Sequence, residues 1–243
     1  MRRLTRCAWF LLPAVLAVCS IGMAAPCAAQ DVDAPTALDV RDGRGSILAP
    51  SGWMVLNTPL QPRVDLKVYG FYIGELSAPV AQVDVPVRVT KFFTITPSYM
   101  YYSVPPSGLN TLAPRPLGFT DTYDEQQLRV DGTLAFSVRK FEISGRNMYV
   151  RRFRPSVLGD VDRYRGRIGV ARPIAVQRHI VKPFASYETF YDNGVSWDRK
   201  RLWSGVTVPV RRHLALQPSY MWERSDGSRD INYVLVGLIV STR

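Results

Sequence analysis

The sequence predicts an all-β chain folded as a single antiparallel transmembrane β-barrel of 10–12 strands. Three observations predict it. One run alternates strictly between apolar and polar residues, similar runs repeat to the end of the chain, and the connections between them are alternately short and long.

The alternating run is Gln127 to Arg139, Q-L-R-V-D-G-T-L-A-F-S-V-R. Leu128, Val130, Gly132, Leu134, Phe136 and Val138 take every second position. Gln127, Arg129, Asp131, Thr133, Ala135, Ser137 and Arg139 lie between them. Successive side chains of a strand point to opposite faces, so one face is oily and the other polar. Globular strands average about 5–6 residues. Alternation over thirteen residues instead suits a bilayer-crossing strand of about 9–11 residues, with lipid outside and a polar lumen inside.

The chain begins outside the fold. Met1 to Arg6 is basic, Cys7 to Met23 is mostly apolar, and Cys27-Ala28-Ala29 is small, which is the pattern of a secretory signal over 1–29 cleaved after Ala29. All three cysteines lie in it, so the expected mature chain has no disulfide and no thiol chemistry. Three of the 31 basic residues leave with it, so 28 remain against 20 acids, a net charge of +8. An exported chain seldom meets nucleic acid, so that partner is not expected. Headgroup phosphates of outer-membrane lipids and lipopolysaccharide, or anions in a lumen, are the expected partners. Residues 30–50 are polar and aperiodic and read as a flexible lead-in. The barrel is expected over 51–243 as one domain.

Within it the strands fall at 51–58, 64–75, 80–90, 92–104, 125–139, 141–154, 162–174, 181–192, 199–210, 214–224 and 230–241. No later window shows helical spacing or a long apolar run. In 92–104 the outward set is Phe93, Ile95, Pro97, Tyr99 and Tyr101. In 214–224 it is Leu214, Leu216, Pro218, Tyr220 and Trp222. The last strand is apolar on both faces and has no readable orientation. Lys140 and Arg211-Arg212-His213 are short connections; 105–124, 155–161 and 193–198 are long ones. Short turns are periplasmic and long loops external in outer-membrane barrels. An even strand number is usual, so these eleven imply ten if 51–58 does not cross, or twelve if one more precedes it. Val83–Arg88 and Pro97–Met100 recur as Val206–Arg211 and Pro218–Met221, either by duplication or by convergence on one hairpin.

The polar faces are rich in arginine. Arg129, Asp131 and Arg139 share one; Arg146 and Arg152 lie with Met148 and Val150 on the next; Arg163, Arg165 and Arg167 follow. Arg201, Glu188 and Glu223 complete the set of candidate lumen or anion-binding residues. Guanidinium groups fork onto phosphate and carboxylate. The set therefore reads as an anion-attracting lumen or as an Arg–Asp/Glu network that fills a narrow barrel. No catalytic residue is assigned: His179 and His213 fall at turns on different hairpins, and no Ser, His and acid converge. No metal or cofactor is expected without cysteine or paired histidine. Asp121, Asp124 and Glu125, like Asp160 and Asp162, lack a spaced calcium loop and read as solvated loop charges. Tyr99, Tyr101, Tyr102, Tyr187, Tyr191, Tyr220 and Trp222 end strands and read as an interfacial girdle; a sugar-stacking site is the alternative.

From Phe141 onward the chain resembles the domain of unknown function 2490 family of predicted outer-membrane barrels. The similar pieces are Arg146-Asn147 with Arg151-Arg152-Phe153, Arg163-Tyr164-Arg165-Gly166-Arg167, Pro183 to Tyr191, Arg201-Leu202-Trp203-Ser204-Gly205-Val206, and Gly237, with Trp53 in the front half. Val150 stands where the family usually has Glu. The chain closes on Val240-Ser241-Thr242-Arg243 rather than on the aromatic that the barrel assembly machinery reads. The resemblance implies location and fold, and no activity. Three functions stay open: a structural barrel or narrow anion-preferring pore, a barrel enzyme acting on lipid or lipopolysaccharide, and a periplasmic binder of a small apolar ligand.

Overall fold

The computed structural model describes residues 46–73, 78–104, 122–156, 159–177, 179–193, 199–225 and 230–242. They form strands β1 (Ser46–Gln61), β2 (Val64–Ile73), β3 (Ala78–Asp84), β4 (Val87–Arg88), β5 (Phe93–Val104), β6 (Tyr123–Val138) and β7 (Phe141–Phe153). These are followed by β8 (Val161–Ala171), β9 (Ile174–Val176), β10 (His179–Asp192), β11 (Arg199–Arg211), β12 (Leu214–Ser225) and β13 (Asp230–Ser241). β4 continues the line of β3 beyond Pro86, because a proline cannot donate to the ladder. β9 forms a short hairpin with β10 beyond the end of β8. The described residues thus build eleven staves of one closed barrel.

Neighbouring staves pair antiparallel all the way round except at the seam. There β1 runs parallel to β13, Ser46 to Asn57 against Asp230 to Ser241, while its other edge pairs antiparallel with β2. This corrects the expected even count and fully antiparallel wall. An up-and-down meander with an odd number of staves brings its first and last strands together in the same direction, so closure demands one parallel pair. The strand at 51–58 is one of the staves. It begins at Ser46, so the last five residues of the expected lead-in belong to the wall. The expected signal at 1–29 and the rest of the lead-in lie outside the described residues.

Prolines mark the irregular places. The β1–β2 register shifts between Pro59 and Gln61, and the β11–β12 register shifts between Pro209 and Arg211. The two similar hairpins are offset: Tyr99 faces Val83, but Tyr220 faces Ser204, two residues before the Val206 that matches Val83.

The wall separates two environments. Leu128, Val130, Leu134, Phe136, Ile168, Val170, Leu202, Leu216, Val234 and Val236 are exposed on the outside. Glu125, Gln127, Arg129 and Asp131 alternate with the first of these on β6 and are buried inside. The orientation expected for β5, β6 and β12 is the one observed. β13 now has faces as well: Ile231 and Tyr233 are buried, and Val234 and Val236 are exposed. Tyr99, Tyr101, Tyr187, Tyr191 and Tyr220 lie exposed on the outer face toward the long-loop end, and Tyr149 packs edge-on against Tyr164 among them. Tyr102 departs from the expected girdle. It is buried inside, where it accepts a hydrogen bond from Gln127.

Candidate functional site: an arginine-rich lumen

Pairing register stacks the inward side chains in levels. One level runs Thr133, Arg146, Arg167, Glu188, Arg201 and Glu223, each the register partner of the next from β6 to β12. The level above it, toward the loops, runs Asp131, Met148, Arg165, Phe190, Arg199 and Ser225. Above that stand Arg129, Val150, Arg163 and Asp192, then Gln127 and Arg152. Arginines on adjacent staves at one level repel unless acids sit among them.

Four acids do most of that work. Glu188 takes Arg165 on both oxygens at 2.9 and 3.0 Å and Arg146 at 2.9 Å, with Arg201 4.0 Å away. Glu223 is paired with Arg201 and lies 3.5 Å from Arg199, whose Nε donates to Ser225. Glu125 holds Arg152 by two bonds of 2.6 and 2.7 Å and accepts a third from Gln127. Asp192 takes Arg163 in the same forked manner. The Phe190 ring sits inside this network, with Arg165 and Arg201 at 4.7 Å from its centroid and Arg163 and Arg199 at 5.7 and 5.6 Å. A cation over an aromatic face gains about 0.5–2 kcal/mol, more where water is excluded. Phe190 is 1% exposed, so the ring works at the favourable end of that range.

The packing is one-ended. On β6 the inward residues Tyr123, Glu125, Gln127, Arg129 and Asp131 are buried, yet the inward Ala135 and Ser137 near the short turns are exposed. The level below Thr133 explains this. Its residues are Ala135, Ser144, Gly169 and Ser186, which fill little space, and Trp203 closes the row. A vestibule of about 410 Å³ opens there, with Arg167 and Trp203 in its lining. A second cavity of about 530 Å³ runs along the β13–β1–β2 side of the lumen, and Arg167 borders both. Its lining carries Lys67, Arg129, Arg146, Arg163, Arg165, Arg167 and Arg201 against Asp84, Asp131 and Glu188. Seven cations therefore face three acids, and Arg163 and Arg201 have their carboxylate partners, Asp192 and Glu223, behind the lining.

Of the eleven residues expected in the lumen, Arg129, Asp131, Arg146, Arg152, Arg163, Arg165, Arg167, Glu188, Arg201 and Glu223 face inward. Arg139 does not. It sits in the Arg139-Lys140 turn with φ of 55°, exposed, because the chain must reverse there. Asp131 faces inward without joining an ion pair: its partner is the Thr133 hydroxyl at 3.0 Å, and no Lys or Arg nitrogen lies within 4.0 Å among the described residues. Glu125 corrects the reading of a solvated loop charge. It is 0% exposed and anchors Arg152. Asp160 and Asp162 both pair with Arg151 on the outer surface. Asp192, Arg199 and Phe190 were not expected. Asp192 and Phe190 share the spacing-two face of Glu188, and Arg199 that of Arg201, so the alternation that found one member of each pair also points to the other. His179 and His213 are exposed at the short-turn end.

Solved structures that resemble the chain do so at low similarity. The outer-membrane expressed OmpT of Vibrio cholerae is 9% identical with a TM-score of 0.38, over 67% of this chain and 51% of that one. The chain thus spans about half the length of that protein. The beta domain of the Bordetella autotransporter BrkA is 16% identical with a TM-score of 0.41, over 70% of this chain and 78% of that one. No curated protein matches. The sequence matches the family described as Protein of unknown function (DUF2490) over residues 53–234, which covers the back-half resemblance together with Trp53 and the front staves. The chain belongs to the DUF2490 family.

Proposed function

We propose that the chain is a non-enzymatic outer-membrane barrel whose lumen is a cationic cup, filled at the loop end and open at the short-turn end. The apolar outside and charged inside support bilayer insertion, since a water-borne binder of apolar ligands has the inverse distribution. The observation that carries the cup is the gradient along β6, from Glu125 at 0% exposure to the exposed inward Ser137. Short turns face the periplasm in such barrels, so the cup opens to that side. A non-enzymatic role fits the exposed positions of both histidines at the turn end, away from the buried acids.

The excess of cations in the cavity lining favours a second reading, a narrow anion-preferring pore. Planar-bilayer recording separates the two. The cup gives no single-channel steps. Anion-selective steps that shrink in Arg165→Gln and Arg167→Gln would establish the pore instead. Location is tested by fractionation: the protein is expected with outer membranes, changing gel mobility on heating, and recovery as a soluble periplasmic protein contradicts it.

A further inference from the structure

We propose that the lumen binds an amphipathic organic anion, its single acid group on Arg167 and its apolar body against the wall formed by β13, β1 and β2. The inference rests on the cup reading for the side from which the ligand enters.

The first observation is that the lumen segregates its chemistry. On one side the levels through β6, β7, β8 and β11 carry the arginines. On the other, Phe71, Trp53 and Gly237 are successive register partners, and so are Tyr69, Val55 and Ile239. Phe71, Trp53, Val55 and Ile239 all line the 530 Å³ cavity that the arginines face. Binding pockets of about 300–1,000 Å³ with an apolar lining and a few convergent polar groups are the usual small-molecule sites. A purely structural plug has no need of an apolar wall opposite its ion pairs.

The second observation concerns Arg167. Its neighbours Arg146, Arg165 and Arg201 share Glu188, but among the described residues no carboxylate oxygen comes within 4.0 Å of Arg167 itself. It borders the vestibule and the deeper cavity, so an acid group held there is reached from the open end while its apolar part extends inward. The third observation is a surplus of donors. In the lining of the deeper cavity, Trp53 Nε1, Trp203 Nε1, Arg146 Nε and Arg165 Nε are buried without a hydrogen-bond partner in the protein, as is a single acceptor, Asn57 Oδ1. Buried N–H groups without an acceptor are costly, and a carboxylate, sulfonate or phosphate oxygen is an acceptor. Asp84 and Asp131 also line the cavity. They disfavour an anion with charge spread along its length and favour one acid group on an uncharged body.

The test uses the full-length folded barrel in detergent, with calorimetric titration against an empty-micelle blank. The probes are 1-naphthoate for an aromatic body, octanoate for an acyl body, 1-naphthalenemethanol as neutral isostere and inorganic phosphate as bare acid group. Saturable binding of naphthoate or octanoate is expected, at least tenfold tighter than the alcohol and phosphate. Which of the two binds better identifies the body. Arg167→Gln should weaken binding at least tenfold and Arg167→Lys much less, each checked for heat-dependent gel mobility. Should Arg167→Gln not fold, wild-type tryptophan emission is the second readout, because Trp53 and Trp203 line the cavity. Naphthoate should change it and octanoate should compete.

Non-saturable uptake, equal binding of acid and alcohol, phosphate binding as tightly as naphthoate, or an unchanged Arg167→Gln overturns the site. Conductance reports separately on the cup. A conducting barrel that binds naphthoate through Arg167 loses the cup and keeps this site, and a silent barrel that binds none of the probes loses this site alone.

Discussion

Trp53 and Gly237 are register partners across the parallel seam, and the indole occupies the space that a side chain at 237 would need. A Cβ built on Gly237 overlaps Trp53 Cε2 and Cζ2. Parallel pairing is slightly weaker per residue than antiparallel, and this is the one place where closure depends on it. The ring set against Gly237 adds packing where the ladder is weakest. Gly237→Ala should therefore destabilise the barrel by about 1–3 kcal/mol, the usual range for overpacking. Trp53→Ala in the same chain should recover part of the loss. Denaturant unfolding of the two single variants and the double variant measures that coupling.

The buried and exposed ion pairs make a second contrast. Glu125 and Arg152 are 0% and 1% exposed, whereas Glu142 and Lys182 are 44% and 41% exposed. Removing one partner of a buried pair leaves a charge without water or counter-charge and costs about 3–5 kcal/mol, while an exposed pair contributes about 0–1 kcal/mol. Glu125→Gln should lower the unfolding midpoint strongly and Glu142→Gln barely. Equal effects would mean that the loop end is solvated.

Asp131 and Val150 report on where the lumen lacks acid. Asp131 bonds Thr133 and no cation, so Asp131→Asn should cost clearly less than Glu188→Gln, which releases Arg146 and Arg165 together. Val150 is buried between its register partners Arg129 and Arg163, and Arg129 is held by Gln127, Gln82 and Met100 without a carboxylate. Val150→Glu places an acid between two arginines and should fold with stability equal to or above the parent. A loss beyond about 2 kcal/mol would show that desolvation of the new carboxylate outweighs the pairing.

The wall and the arginine faces were legible because their two faces meet different surroundings. β6 alternates since an exposed apolar surface lies on one side and buried charge on the other. β13 gave no such signal, because its inward Ile231 and Tyr233 pack in an apolar cluster with Ala49 and are as oily as its outward Val234 and Val236. The parallel seam joins residues nearly the length of the chain apart, and no local pattern encodes it. Glu125 was misread because it follows Asp124 next to a long connection, and only the register that sets it beside Arg152 shows it buried. The ring of guanidinium groups around Phe190 needs three staves in register at once, which periodicity along one strand cannot supply.

Orientation of the wall is open to a paired substitution on one strand. Leu134 is 54% exposed on the outside, and Thr133 faces inward as the register partner of Arg146. An arginine on the lipid side near the midplane costs roughly 2–4 kcal/mol. Leu134→Arg should impair folding into lipid vesicles far more than Thr133→Arg, with the folded fraction read from heat-dependent gel mobility.

The central claim, a lipid-facing apolar wall around a lumen filled at one end, is tested most directly by single cysteines along β6. All three native cysteines precede residue 30, so residues 30–243 offer a cysteine-free background. Gln127→Cys, Leu134→Cys, Ala135→Cys and Ser137→Cys are folded into liposomes and exposed to a membrane-impermeant maleimide from both sides. The expected result is fast labelling at 135 and 137, and protection at 134 by lipid and at 127 by the packed network. Labelling at 134 with protection at 135 would invert the wall, and labelling at 127 as fast as at 137 would show a lumen open from end to end.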